Sequence, residues 1–483
     1  MLSGMSSRTD FEFVVVGSDL AGLLVANLLQ RQDRRVLLIT QKKDTLSYCH
    51  QGIQIPTRPA WLPDTGQTRD LDSLLHVFGV EPPEASPPSS REPPLQIITP
   101  DQRLDLSLDP WQLGRELARA MPEQRKSVLE AIRGFQEEEG HYEGWLRSAV
   151  TSAPMRLRGL RVYRKLFRPA RLASLPNPLR GPPLLRILAA ATAFQSNLHP
   201  TQLSAITLGH LILRQLEPSR CWPQLDETLR SRFCQSGGTL DTQSQVEKIL
   251  MDRRQVIGVQ NLPGKRTTDC QALISCLTAQ EMLGLVPPER QYRGIRVAAR
   301  AFWPSHSLFL VHVIAPREAI PMGMANHVLM VRALGLPLEE DNLIRLQVLP
   351  CPGRPGMVVI GIGCLVPQRK IALGREYLGP LQTRILDAGK WLIPFLTENW
   401  ICHSSPYWQS RAGDRSFESP WEIHPVWATN KTAVFGRGIL PLTTSYRNLF
   451  HCGPESFPGL GLEGAALAAI NTVRMIQHRE TLN

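Results

Sequence analysis

The sequence has no apolar run of about 18 residues, which excludes a membrane-spanning helix. Its first residues, MLSGMSSRTD, lack the long apolar stretch of a secretory signal, so a cytoplasmic protein is expected. Nine cysteines are scattered singly, with no C-x-x-C pair. That argues for reduced thiols rather than a disulfide framework, and no metal site is expected. No internal repeat is present. Between Gly144 and Leu216 there is no Asp or Glu at all. The Arg and Lys excess of that stretch equals the net charge of +11 of the whole chain, so the remainder is near neutral.

The acid-free stretch has a patterned centre. Met155–Leu172 interleaves basic residues with Met155, Leu157, Leu160, Val162, Tyr163, Leu166 and Phe167. A basic amphipathic segment of this kind suits a membrane surface or an acidic protein partner, and equally a solvated face of a helical insertion over residues 144–216. The segment carries no known nucleic-acid-binding motif, and nucleic acid is not an expected partner.

With 483 residues the chain is long enough for two or three domains. Its organising stretch is FEFVVVGSDLAGLLVANLLQRQDRRVLLIT, residues 11–40. A short β-rich run, a glycine turn, an amphipathic run and a second apolar run read as strand, turn, helix and strand. That is the first half of a dinucleotide-binding unit. The usual turn is G-x-G-x-x-G; here it is Gly17-Ser18-Asp19-Leu20-Ala21-Gly22. The glycines that build the turn and let helix pack on strand are kept. The middle one, which lets backbone approach a pyrophosphate at the helix N-terminus, is Asp19. The acid expected at the end of the second strand, for a ribose, is Thr40.

Further along, Gln41 to Pro56 reads as irregular and Leu95 to Leu108 as a hairpin. Asp109-Pro110 reads as the N-cap and first residue of a helix. More helix is expected to about Leu216, and a helix from Leu225 to Phe233 precedes Gly237-Gly238. Strands follow at Gln245 to Met251, Val256 to Asn261 and Ala272 to Cys276. From Ile295 to about Val366 long strand-like runs predict an antiparallel sheet, and Thr432 to Val434 a further strand. Near the C-terminus, NLFHC runs into the glycine-spaced turn Pro458-Gly459-Leu460-Gly461-Leu462-Glu463-Gly464, which opens a small-residue helix at Ala465. Such a helix N-terminus offers unpaired N–H groups to a ligand's oxygens.

VVVGSDLAGL, Gly237-Gly238, ALIS at 272–275 and GPESFPGLGLEGAA occur in the order seen in phytoene desaturases, and LDPWQLGRELARAMPEQRKSVLEAI is similar to their helical part. The chain thus resembles FAD-dependent oxidoreductases of the phytoene desaturase type, relatives of amine oxidases and protoporphyrinogen oxidases. The resemblance implies an α/β fold. A Rossmann-like FAD/NAD(P)-binding domain would be assembled from residues 1–60, 217–294 and 432–483. A substrate domain, α+β with an antiparallel sheet, would be assembled from 61–216 and 295–431.

It also implies contacts. Gly17, Ser18, Asp19, Ala21 and Gly22 would line the FAD pyrophosphate, Thr40 the ribose, and Val246 the adenine. Gly453 and Pro454 would face the flavin's linker, and Gly459, Leu460, Gly461 and Ala465 the flavin ring. Three of these depart from the family: Asp19 for Gly, Thr40 for Glu, Pro454 for Asp. Lys42 and Lys43 stand where they could offset a lost contact or accept an NADP 2′-phosphate. Two readings follow. One is a non-catalytic or weakly flavin-binding relative acting as scaffold, lipid carrier or partner subunit. The other is an active flavin oxidoreductase on an apolar, membrane-derived substrate, peripheral to a membrane's inner face. His424 and His50 are the candidates for facing a substrate, Tyr48 and Trp427 read as packing residues, and no catalytic set is assigned.

Overall fold

The computed structural model describes residues 10–41, 47–57, 60–63, 77–78, 92–151, 175–222, 224–408, 424–430 and 441–481. Strand β1 (Phe11–Val16), helix α1 (Leu20–Gln30) and strand β2 (Val36–Ile39) form where the sequence places them. β1 pairs in parallel with β2, Phe13 opposite Val36 and Val16 opposite Ile39. Every residue of β2 is buried, as a parallel strand covered on both faces requires. α1 covers one of those faces. Its residues from Ala21 to Leu29 are all buried, because the Leu225–Gln235 helix and the C-terminal Gly461–Glu480 helix pack on its outer side.

On the other side of β1 lies the strand Arg266–Ser275, Val16 opposite Ser275, and Leu449–His451 follows it in parallel. Thr239–Asp241 joins β2 at the opposite edge. The strand expected at Ala272 begins earlier, at Arg266. Its first half pairs antiparallel with Gln255–Leu262, which in turn forms a hairpin with Gln245–Asp252. A first sheet of seven strands results.

The second sheet has eight strands. Its spine is Phe302–Pro316 against Met357–Pro367, in register from His306 opposite Pro367 to Pro316 opposite Met357. Leu343–Pro350 and His327–Val331 extend it, and the Leu95–Ile98/Arg103–Leu106 hairpin completes that edge. Leu308 and Leu310 face helices Pro110–Ala120, Pro183–Ala191 and Ala205–Leu216, while Phe309 and Val311 face helix Arg375–Leu392. This is the period-two alternation of a sheet covered on both sides. The fold is a mixed α/β architecture with one largely parallel and one antiparallel sheet.

Two sequence expectations are corrected. Gln41 to Pro56 is not irregular over its described residues: Ser47–His50 and Ile53–Pro56 form a hairpin. Its two-residue turn, Gln51-Gly52, has φ of 49° and 75°, the left-handed pair that matches strand twist. At Ile295 a helix, Arg293–Ala301, precedes the strand, because Ile295, Ala298 and Ala301 bury one helical face. Met155–Leu172, Lys42, Lys43 and the strand expected at Thr432 to Val434 lie outside the described residues. Among the described residues no helix is long and apolar enough to cross a membrane.

Candidate functional site

In open α/β sheets ligands bind at the carboxyl ends of the strands. Here that end faces the antiparallel sheet across a cavity of about 480 Å³. The β1–α1 turn forms one wall, with Gly17, Ser18, Asp19 and Ala21, and the turn before the last helix a second, with Gly453, Pro454, Leu460, Gly461 and Ala465. Trp61, His327, Arg345 and Trp427 lie on the side of the second sheet. Gly22, Thr40, Val246 and Gly459 are not on the cavity surface.

The glycines of the first turn are structural. Gly17 has φ of 103°, and a Cβ on Gly22 would stand 1.9 Å from Gly17 O. Asp19 is the N-cap of α1, and its Oδ1 accepts from Gly22 N at 3.0 Å. A carboxylate therefore occupies one of the amides that a phosphate would meet at this helix N-terminus.

Next to Thr40, Gln41 reaches across to the strand Gln245–Asp252. Its Nε2 donates to Val246 O at 2.7 Å, and its Oε1 accepts from Val246 N at 2.8 Å. Both backbone groups of Val246 are thus bonded by one amide side chain. Thr40 is buried; its backbone N donates to Asp241 O at 2.9 Å, and its Oγ1 has no partner among the described residues.

The C-terminal turn is filled in the same way. Gly459 (φ 91°) and Gly461 (φ 55°) are left-handed, and a Cβ on Gly461 would stand 2.4 Å from Gln195 O. Gly459 N donates to Asn197 Oδ1 at 2.6 Å, and Asn197 Nδ2 donates to Pro454 O at 3.3 Å. The segment around Gln195 and Asn197 is the lining against which this turn packs. The helix starts at Gly461, four residues before the expected Ala465.

Glu463, in the first turn of that helix, anchors a buried ionic cluster. Its Oε2 accepts from Tyr142 OH at 2.6 Å and from His210 Nε2 at 3.0 Å, and Arg214 Nη2 lies 3.5 Å from its Oε1. His210 Nδ1 lies 2.9 Å from Glu139 Oε1. Both ring nitrogens face carboxylate oxygens, and only the imidazolium donates from both. Burial alone would lower the His210 pKa, but Glu139 and Glu463 outweigh it and raise it to about 9. Burial would raise Glu463; His210 and Arg214 bring it down to about 2. The helix N-terminus adds a favourable field for this carboxylate.

The other candidates are placed as follows. His424 lines the cavity, with Nε2 2.8 Å from Thr57 Oγ1. His50 lies on the Ser47–His50 strand, off the cavity. Tyr48 OH bonds His312 Nδ1 at 3.0 Å and Ser404 Oγ at 2.7 Å. Trp427 lines the cavity and stacks on Phe302 at 4.7 Å. Gln41, Asn197, His210, Arg345 and Glu463 escaped the sequence reading. For Glu463 a signal existed, a single acid inside a turn of glycines and apolar residues. For the others none did.

No protein-family model and no curated protein matches the chain. Solved structures do. A cyclohexylamine oxidase from Brevibacterium oxydans IH-35A matches with TM-score 0.63 at 14% identity, over 98% of this chain and 100% of its own. A wild-type putrescine oxidase bound to putrescine matches with TM-score 0.61 at 12% identity, over 98% of each chain. An oxidoreductase from Methanosarcina mazei matches with TM-score 0.59 at 14% identity, over 96% of this chain and 99% of its own. The chain therefore shares the fold of these oxidases, and FAD is the cofactor that the resemblance at its two glycine turns implies. The residues present do not fit FAD at its recognition points. Asp19 holds the Gly22 amide, Gln41 holds both backbone groups of Val246, and Asn197 holds the Gly459 amide.

Proposed function

We propose that this chain is a phytoene desaturase-like relative that has kept the flavoprotein fold and given up tight flavin binding. It acts as a non-catalytic carrier or partner subunit around its central cavity. One observation carries this reading: the backbone groups that the fold would turn to FAD are already bonded to Asp19, Gln41 and Asn197. A cofactor would have to break these bonds, and a buried polar group left without its partner costs about 1–3 kcal/mol. Met155–Leu172 is its proposed contact to a membrane surface or an acidic partner.

The test is the visible absorption spectrum of the purified protein, before and after incubation with excess FAD. A colourless protein that takes up no FAD is expected. The double variant Asp19→Gly/Gln41→Ala should take up more than the wild type. Flavin bands at near-stoichiometric yield in the wild type overturn the proposal and favour an active oxidoreductase on an apolar substrate. One feature supports that second reading: the cavity still runs from the β1–α1 turn to the antiparallel sheet.

A further inference from the structure

Two thiols meet at the carboxyl end of the first sheet. Arg266–Ser275 and Leu449–His451 are parallel neighbours, with Ile274 opposite Phe450 and Ser275 opposite His451. Cys276 and Cys452 are the next residues, one on each strand. Cys452 N donates to Ser275 O at 2.7 Å, which carries the pairing one residue further, and Cys276 N donates to Val16 O at 2.9 Å. Alternation sets Ile274, Phe450, Cys276 and Cys452 on the face covered by α1, and Leu273 and Leu449 on the other. Neighbouring strands lie about 4.8 Å apart. That is inside the span of about 4.4–6.8 Å between the Cα atoms of a disulfide.

Both cysteines are buried and unbridged. Cys276 lines the cavity, and Cys452 lies off its surface. A Cβ on Gly17 would stand 3.5 Å from Cys276 Cβ, and Cys452 leads directly into Gly453. The pair thus sits between the two glycine turns that wall the cavity. A hydrogen bond with the Cys452 side chain first, burial second, and the nearby Cys452 and Asp19 groups after them hold the Cys276 thiol well above its usual range. A thiolate here is a buried charge with a carboxylate nearby, whereas a disulfide is neutral and carries no such cost.

We propose that Cys276 and Cys452 form a reversible redox site, bridged by small disulfides that enter the cavity, and that the bridge locks the two glycine turns together. Cys276, which faces the cavity, gives up its proton and attacks one sulfur of the entering disulfide. That S–S bond breaks, and one small thiol leaves. Cys452 then gives up its proton and attacks the Cys276 sulfur of the mixed disulfide, and the second small thiol leaves. Two electrons and two protons pass from the protein thiols to the small disulfide, which ends as two thiols. The bridge closes a loop that holds the spine of the second sheet, Phe302–Pro316 and Met357–Pro367, so it restricts the unfolded chain over that whole span. The bonds made by Asp19, Gln41 and Asn197 take no part in it, so its failure would leave the flavin reading untouched.

The test incubates the full chain with hydroxyethyl disulfide and mercaptoethanol at a series of ratios, then alkylates the remaining thiols and maps the peptides by mass spectrometry. A peptide pair joined through Cys276 and Cys452 should grow with the share of disulfide and disappear in excess mercaptoethanol. The bridged protein should unfold at a higher temperature than the reduced one. Cys452→Ser should stop at a mercaptoethanol adduct on Cys276, and Cys276→Ser should leave Cys452 unmodified. Adducts confined to the exposed Cys49 and Cys234, a bridge that forms only in denaturant, or a bridge that leaves the unfolding temperature unchanged or lower would each overturn the assignment. Should a serine variant not fold, the peptide map of the wild type decides.

Discussion

Asp19 does two things with one side chain: it caps a helix, and it puts a negative charge where an anion would sit. The two roles separate by mutation. Asp19→Ala removes the cap and should lower stability by about 1 kcal/mol, whereas Asp19→Gly should cost only a few tenths. Urea unfolding midpoints measure both, and equal losses would contradict the capping role. Glu463 is the second such residue. Its carboxylate compensates His210 and Arg214 inside the protein. Removing one partner of a buried ion pair leaves the other uncompensated, so Glu463→Gln should cost about 3 kcal/mol. A change below about 1 kcal/mol would mean that water reaches the cluster.

Among the elements, the C-terminal helix and its turn carry the most constraint. Gly461 combines a φ of 55° with a Cβ position 2.4 Å from Gln195 O. An alanine there pays for a left-handed backbone, about 1–2 kcal/mol, and for overpacking, about 1–3 kcal/mol. Gly461→Ala should therefore lose about 2–5 kcal/mol. Gly52→Ala, where no atom of the described residues lies within 4 Å of the added Cβ and φ is 75°, should lose only the backbone part. Thermal denaturation of the two variants compares them directly, and equal losses would remove the packing argument. The same geometry explains why these glycines persist: they serve the approach of turn and backbone, whether or not a cofactor is bound.

At the scale of the molecule, the ion cluster ties the Arg125–Thr151 and Ala205–Leu216 helices to the C-terminal helix of the first sheet's layer. Its titration sets a pH dependence. His210 has a folded pKa raised from 6.5 to about 9, so its contribution is complete below pH 6.5 and is lost as pH rises toward 9. His199, His312 and His327 are shifted the other way, to about 4, 3 and 3, chiefly by burial. Their contributions are present above pH 6.5 and are lost as pH falls. Glu463, brought from 4.5 to about 2, adds a further loss below pH 4.5. Stability should peak near pH 6.5. His210→Gln should flatten the limb between pH 6.5 and 9, and an unaltered alkaline limb in that variant would contradict the assignment.

Local patterns determined much of this protein by themselves. The β1–α1–β2 unit follows from an apolar run, a glycine turn and a helical stripe. The antiparallel sheet follows from long strand-like runs, and the last helix, though not its first turn, from its spaced glycines. Each depends on neighbours along the chain, and Asp19 with Gly22 is just three residues apart. Tertiary structure decided what the site is made of. Gln41 finds Val246 across 205 residues, His210 finds Glu463 across 253, and Asn197 finds Gly459 across 262. The neighbourhood of Arg345, His327 and His312 exists only once four strands are in register. A side chain's partner at such separations is set by packing and register, not by its own spacing. The sequence therefore specified a dinucleotide-binding frame, and only the folded chain placed its own side chains on the groups of that frame.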